Sequence, residues 1–223
     1  MSTALAVPIA AEPEQRIVLE RLDWQTYLSI SDALADRPGL RMIYLHGSLV
    51  LLTTSRRHDW HAEHLGYLVA AVAAGLGLSC EVAGQSTYRL EDRSTGVEGD
   101  KTFYFGEHAD LMRGPVDIDL STQPPPDLAI EVEVTHRADD ALAAWGRIGT
   151  PEVWRFDANS GILTILHRRE DGTFAKAERS LAIPVLGEAD VLGQLQLADE
   201  LGFSRWLAQL ADWVRDVLVP RGL

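Results

Sequence analysis

Cysteine is almost missing from this chain: Cys80 is the single one. An intrachain disulfide framework is therefore excluded, a reducing compartment is expected, and Cys80 itself reads as a small buried hydrophobe between Leu76 and Val82. Long apolar runs are missing too. The longest, Leu68 to Leu78, is too short to cross a bilayer, which excludes a transmembrane helix there. Positive charge is scarce: 20 Lys and Arg stand against 33 Asp and Glu, a net charge of −13. A broadly basic nucleic-acid-binding surface is excluded by that balance, and phosphate binding is left to a local basic channel or a metal ion. Internal repeats and low-complexity tracts are absent. Residues 1–21 lack the basic start of a secretion signal and read as a loose N-terminal arm, so the expected location is cytoplasmic.

What is present is an ordinary globular composition, 46% hydrophobic and 24% charged over 223 residues, enough for one α/β domain with a small appendage. Asp23 is placed to cap a helix over Trp24 to Ala35. Leu40 to Tyr44 and Leu49 to Thr53 flank His46-Gly47 as a hairpin. Leu65, Leu68, Val69, Val72 and Leu76 recur at helical spacing and predict a helix from Asp59 to Leu76. Short strands follow at Ser79 to Val82, Thr87 to Leu90 and Thr102 to Phe105. A long loop from Gly106 to Pro126, with Pro115 inside it, holds one helical turn at Ala109 to Met112. A strand from Asp127 to Val134, a helix from Ala138 to Ile148 ended by Gly149, and a strand from Glu152 to Phe156 make a βαβ-like element, with Ile162 to His167 returning through a Gly turn. A final helix, Ser204 to Leu218, presents Trp206, Leu207, Leu210, Trp213, Val214 and Val217 on one face, for packing on the core or on a dimer partner. The expected class is α/β (α+β): a mixed central sheet flanked by helices, with residues 22–180 as core and 181–223 as a helical extension.

The strand from Asp127 to Val134 carries the most informative pattern. Side chains alternate across a strand, so Leu128, Ile130, Val132 and Val134 share one face while Asp127, Ala129, Glu131 and Glu133 share the other. At ~3.3 Å per residue, Glu131 and Glu133 stand roughly 6–7 Å apart and point the same way. Their repulsion is relieved either by water on an exposed face or by a bound cation. Glutamate is a weak strand former, and a third carboxylate, Asp100, opens the aromatic strand Lys101-Thr102-Phe103-Tyr104-Phe105, with Glu98 two residues before it. Magnesium, bound by one or two carboxylates plus water and substrate phosphate, suits such a set.

The segments Glu98-Gly99-Asp100, Pro125-Pro126-Asp127-Leu128-Ala129-Ile130-Glu131-Val132-Glu133-Val134-Thr135 and Gly149-Thr150-Pro151-Glu152-Val153-Trp154-Arg155-Phe156-Asp157 occur in an order and spacing that resembles the PD-(D/E)xK nuclease superfamily. More closely, they resemble the bacterial restriction-endonuclease-like family abundant in cyanobacteria. The resemblance covers roughly residues 22–170. It implies a restriction-endonuclease-like fold and a Mg-dependent (Mn-tolerant) endonuclease hydrolysing DNA. It also implies a metal held by Asp100, Glu131 and the carbonyl of Val132, and a homodimer. Asp100, Glu131 and Glu133 are then the catalytic candidates, with Glu98, Lys101, Asp127 and His58 around the site or the substrate.

The chain departs from the superfamily pattern at three places. Gly99 replaces the proline before the Asp. Gly47-Ser48 stands where the family often has Gly-Glu, which removes one acidic ligand. Glu133 replaces the lysine that would stabilise transition-state charge, leaving Lys101 or Arg137 as candidates for that charge. His58, His61 and His64 share a helix face, but a zinc site needs a defined fourth ligand. His136 reads as a loop residue. Two further readings stay open: a catalytically degenerate nuclease-fold module serving as an interaction or regulatory protein, and a small-molecule phosphohydrolase.

Overall fold

The computed structural model describes residues 14–35, 37–114, 118–135 and 138–222; expectations for residues 1–13, Pro115, His136 and Arg137 lie outside these. In chain order the elements are β1 (Arg16–Leu19), α1 (Trp24–Leu34), β2 (Leu40–Leu45), β3 (Ser48–Thr53), α2 (Arg56–Leu76), β4 (Cys80–Gly84), β5 (Thr87–Leu90), β6 (Thr95–Glu98), β7 (Lys101–Phe105), α3 (Gly106–Leu111), β8 (Leu128–Glu133), α4 (Asp139–Ile148), β9 (Glu152–Asp157), β10 (Ile162–Arg168), β11 (Phe174–Lys176), α5 (Glu188–Leu201) and α6 (Phe203–Trp213). They form two sheets, ordered β1-β3-β2-β6-β5 and β11-β10-β9-β8-β7-β4. The first is antiparallel throughout. The second is mixed, because β8 and β9 run parallel and α4 makes the crossover between them, as parallel neighbours require. The mixed sheet with flanking helices is the architecture expected from the sequence.

Local signals account for most boundaries. The Asp23 carboxylate accepts from Thr26 N–H and starts α1, while Ser55 accepts from His58 N–H and starts α2, each satisfying an otherwise orphan helix donor. Gly149, at φ 105°, ends α4 in the left-handed conformation that favours glycine. The apolar face of α2 (Leu65, Leu68, Val69, Val72) packs on Leu128, Ile130 and Val132 of β8. Ala129 faces the other way, into a second cluster with Trp145, Val153, Tyr88 and Val97. Strand β8 is thus covered on both sides, and all six of its residues are buried. Its acidic face is not a solvated surface.

Several expectations are corrected. Within the expected arm, Arg16–Leu19 pairs with Leu49–Leu52 as an edge strand. Thr95–Glu98 and Phe174–Lys176 are strands the sequence reading left out, and the expected helical extension holds a helix at Glu188–Leu201 whose bounds were not read. The helical turn in the long loop begins earlier, at Gly106. The last helix breaks into α6 and a π-helical turn, Val214–Leu218. Trp206 is fully buried in the chain's own core beside Leu195, Leu210 and Val214, which removes it from any dimer contact, while Leu207 is 37% exposed. Cys80 is half-buried, and burial pushes its thiol up to about 11.

Candidate active site

The register of β7 on β8 pairs Lys101 with Ile130 and Thr102 with Ala129. One step further along this ladder, Asp100 comes beside Glu131. Both carboxylates line a cavity of about 40 Å³ together with His58, Arg41, Glu98 and Glu14, room for a water molecule or an ion.

Asp100 is 3% exposed and fully engaged. Its Oδ2 accepts from Val132 N–H at 2.9 Å and lies 3.0 Å from His58 Nε2; its Oδ1 lies 3.4 Å from Arg41 Nε. Burial works to raise its pKa, but the charge and hydrogen bond of His58, the Arg41 guanidinium and the Val132 N–H outweigh burial and hold it below the usual carboxylate range. For His58, burial opposes the charged form, yet the adjacent Asp100 overrides burial and raises the imidazole to about 9. The pair is therefore an imidazolium–carboxylate at neutral pH.

Glu131 is the opposite case. Burial, reinforced by the charge of Asp100, raises its pKa well above the usual range. Its Oε1 accepts from Trp145 Nε1 at 2.6 Å. Trp145 can come this close because residue 99 is glycine: a Cβ there would lie 2.8 Å from Trp145 Cζ2. The replacement of proline by Gly99 thus has a packing reason. Glu98 accepts from Met42 N–H and Thr87 Oγ1, and burial raises its pKa.

The remaining predicted residues are not brought to this cavity. Glu133 accepts from Arg155 Nε at 2.6 Å and from Ala138 N–H, so it caps the approach to α4 rather than facing Asp100. Lys101 donates to Glu63 at 2.7 Å. Asp127 accepts from Phe105 N–H at 2.7 Å and sits 2.8 Å from His108 Nδ1, at the far end of β8. His61 and His64 pack against Trp60, and among the described residues no group of three or more His, Cys, Asp or Glu is arranged to hold a metal. Conversely, Arg41, Trp145 and Glu14 belong to the site and were not picked out from sequence. Arg41 carries a readable signal, a lone cation in the apolar strand Leu40–Leu45 that is 8% exposed. Glu14, from the expected arm, accepts from Ser55 and from Thr135 N–H.

The donor set fits a hard divalent ion. Magnesium takes one or two carboxylates and completes its shell with water and phosphate, and two buried carboxylates whose pKa values are shifted in opposite directions share one small cavity here. A cation would compensate the repulsion between Asp100 and Glu131 that adds to burial in raising the Glu131 pKa, in competition with His58 and Arg41 for Asp100.

Among helices of the described residues none is long and apolar enough to cross a membrane. No curated protein matches the chain. A solved structure from Anabaena variabilis, described as a "putative nuclease belonging to DUF820", aligns over 78% of this chain and 90% of its own, at 12% identity and a TM-score of 0.49. The model of the Uma2 family, described as "Putative restriction endonuclease", matches residues 24–200. With that span matched and the mixed sheet in place, the chain belongs to the Uma2 family of restriction-endonuclease-like proteins.

Proposed function

We propose that this protein is a metal-dependent endonuclease that hydrolyses DNA phosphodiester bonds. The observation that carries this reading is the convergence of two buried carboxylates, Asp100 just before β7 and Glu131 on β8, on one small cavity. Asp100, Glu131 and the Val132 carbonyl are the groups that would hold Mg or Mn. When bound, such an ion supplies positive charge for the phosphate and lowers the pKa of a water. His58 and Arg41 hold the Asp100 carboxylate in place and keep it ionised. Trp145 orients Glu131. Glu133 is assigned a positioning role through Arg155 and the start of α4 rather than that of a base.

The test is metal binding by calorimetry, wild type against Glu131→Gln, followed by cleavage of plasmid DNA by Asp100→Ala and Glu131→Ala. Binding lost in the glutamine variant and cleavage lost in both alanine variants are expected. Undiminished cleavage by both alanine variants would sink the assignment. A second reading, a nuclease-fold module without catalysis, is favoured by one observation: Lys101 is held by Glu63 away from the cavity, so the chain's own lysine does not supply the transition-state charge. That reading predicts a folded wild type with neither divalent binding nor cleavage.

A further inference from the structure

On the other flank of α4 lies a groove whose electrostatics run against those of the whole chain. It is lined by Arg93, Arg147, Arg155 and Arg168, with Glu170 and Asp171 as its acidic members. Four guanidinium groups against two carboxylates is a local cationic excess on a protein of net charge −13. The way these arginines are held matters more than their number. Arg147 donates through Nε to Thr95 Oγ1 at 2.9 Å and through Nη2 to the Arg93 carbonyl, and Arg93 donates back to the Arg147 carbonyl. Arg168 donates through Nε to the Gly146 carbonyl at 2.8 Å. Among the described residues none of these three is paired with a carboxylate, whereas Arg155 is tied to Glu133 and Asp139.

Neutral carbonyl partners fix the guanidinium groups without cancelling their charge. Each guanidinium has five N–H donors, and one or two per residue are used, so donors remain for an anion. The groove wall is also fixed by backbone packing. Gly146 of α4 touches the turn between β10 and β11 so closely that a Cβ would lie 2.0 Å from the Gly172 carbonyl oxygen. Three arginines are therefore held in fixed positions, drawn from three separate parts of the chain. Bidentate guanidinium–phosphate recognition suits such an arrangement. The groove is also close to the candidate active site. Ala138 and Ala141, at the start of α4, line the cavity, while Leu142, Gly146 and Arg147 further along the same helix line the groove.

We propose that the Arg93–Arg147–Arg168 groove binds the phosphodiester backbone of the nucleic acid on which the cavity acts; this rests on the nuclease reading. The groove carries an excess of cations on an acidic chain, so phosphate contacts there guide DNA to α4.

The experiment is fluorescence anisotropy of the full chain with a labelled duplex of about 20 base pairs, in EDTA, across a salt series starting near 50 mM. Wild type, Arg93→Gln/Arg168→Gln and Arg93→Lys/Arg168→Lys are compared, with thermal unfolding of each as the check on folding. Glutamine substitution is expected to weaken binding roughly tenfold or more and to reduce the slope of log K against log salt by about 2, one unit per lost phosphate contact. The lysine variant is expected to keep the wild-type slope. An unchanged slope in the glutamine variant, equal loss in the lysine variant, or no binding by wild type would each overturn the groove assignment. Groove-dependent binding without Mg- or Mn-supported cleavage would remove the nuclease reading and leave the groove standing. Cleavage by a glutamine variant with unaltered binding would do the reverse.

Discussion

Trp145 donates its indole N–H to Glu131 at 2.6 Å, and both side chains are buried. An indole of α4 is therefore the hydrogen-bond partner of the candidate metal ligand on β8. Trp145→Phe removes that donor from a buried carboxyl group and is expected to cost about 1–3 kcal/mol, measured by urea denaturation. Combined with Glu131→Gln in a double-mutant cycle, it should show a coupling of about 0.5–3 kcal/mol. Strict additivity of the two substitutions would mean that the contact contributes nothing.

Gly99 bears on the same pair. Gly99→Ala places a methyl group 2.8 Å from Trp145 Cζ2 and 2.9 Å from Thr102 Cγ2, so the indole has to shift, at a cost of about 1–3 kcal/mol. The near-ultraviolet circular dichroism of the tryptophans should change with it. Gly193→Ala is the contrasting case. A Cβ there meets no atom within 4 Å, in the body of α5, and the substitution is expected to stabilise by about 0.5–1 kcal/mol. Equal melting temperatures for the two variants would contradict the packing described at Gly99.

Glu152 is a carboxyl group with no place in the proposed chemistry. It is completely buried and accepts from Trp154 Nε1, Ser180 Oγ and the N–H groups of Leu181 and Ala182, tying β9 to the segment that leads into α5. Burial raises its pKa, with the hydrogen bonds from Ala182, Trp154 and Ser180 acting the other way. A carboxyl raised on folding contributes stability that is present below its unfolded pKa, near 4.5, and lost as pH rises through the folded value. An amide cannot satisfy all four donors, so Glu152→Gln is expected to destabilise by about 1–3 kcal/mol. Its deficit against wild type should be largest at low pH and shrink towards neutrality, measured by urea denaturation between about pH 4 and pH 8. A deficit that grows with pH would overturn the sign.

Trp206 anchors the C-terminal helices. Its ring packs 5.2 Å from that of His64, its Nε1 donates to Gln194 at 3.2 Å, and it has no exposed surface. Trp206→Ala is expected to cost about 3–5 kcal/mol and to open α5 and α6 to limited proteolysis. Wild-type resistance to protease in that variant would contradict core packing of the extension.

Much of this arrangement is legible before any coordinates. Asp23 can cap a helix because its side chain accepts from a backbone donor three residues ahead. Leu65, Leu68, Val69 and Val72 define a face because an α-helix repeats every 3.6 residues. The alternation along β8 puts Glu131 and Glu133 on one side for the same kind of reason. The elements that escaped notice lack a local period of their own: Thr95–Glu98 is a four-residue strand containing glycine, and Arg16–Leu19 is an edge strand specified by its partner.

The site divides along the same line. Sequence by itself determined the carboxylates, their strands and the βαβ crossover, since these follow from alternation, capping and spacing within short stretches of chain. Which carboxylates meet was decided only by the tertiary structure. The register of β7 on β8 brings Asp100 to Glu131, and α2 brings His58 to Asp100 across 42 residues. Arg155, on the neighbouring parallel strand, takes Glu133 out of the cavity. Proton affinity was decided there too, because burial and neighbouring charge act through space: His58 and Arg41 lower the pKa of Asp100, while burial and the charge of Asp100 raise that of Glu131 against the Trp145 indole, His58 and Arg41.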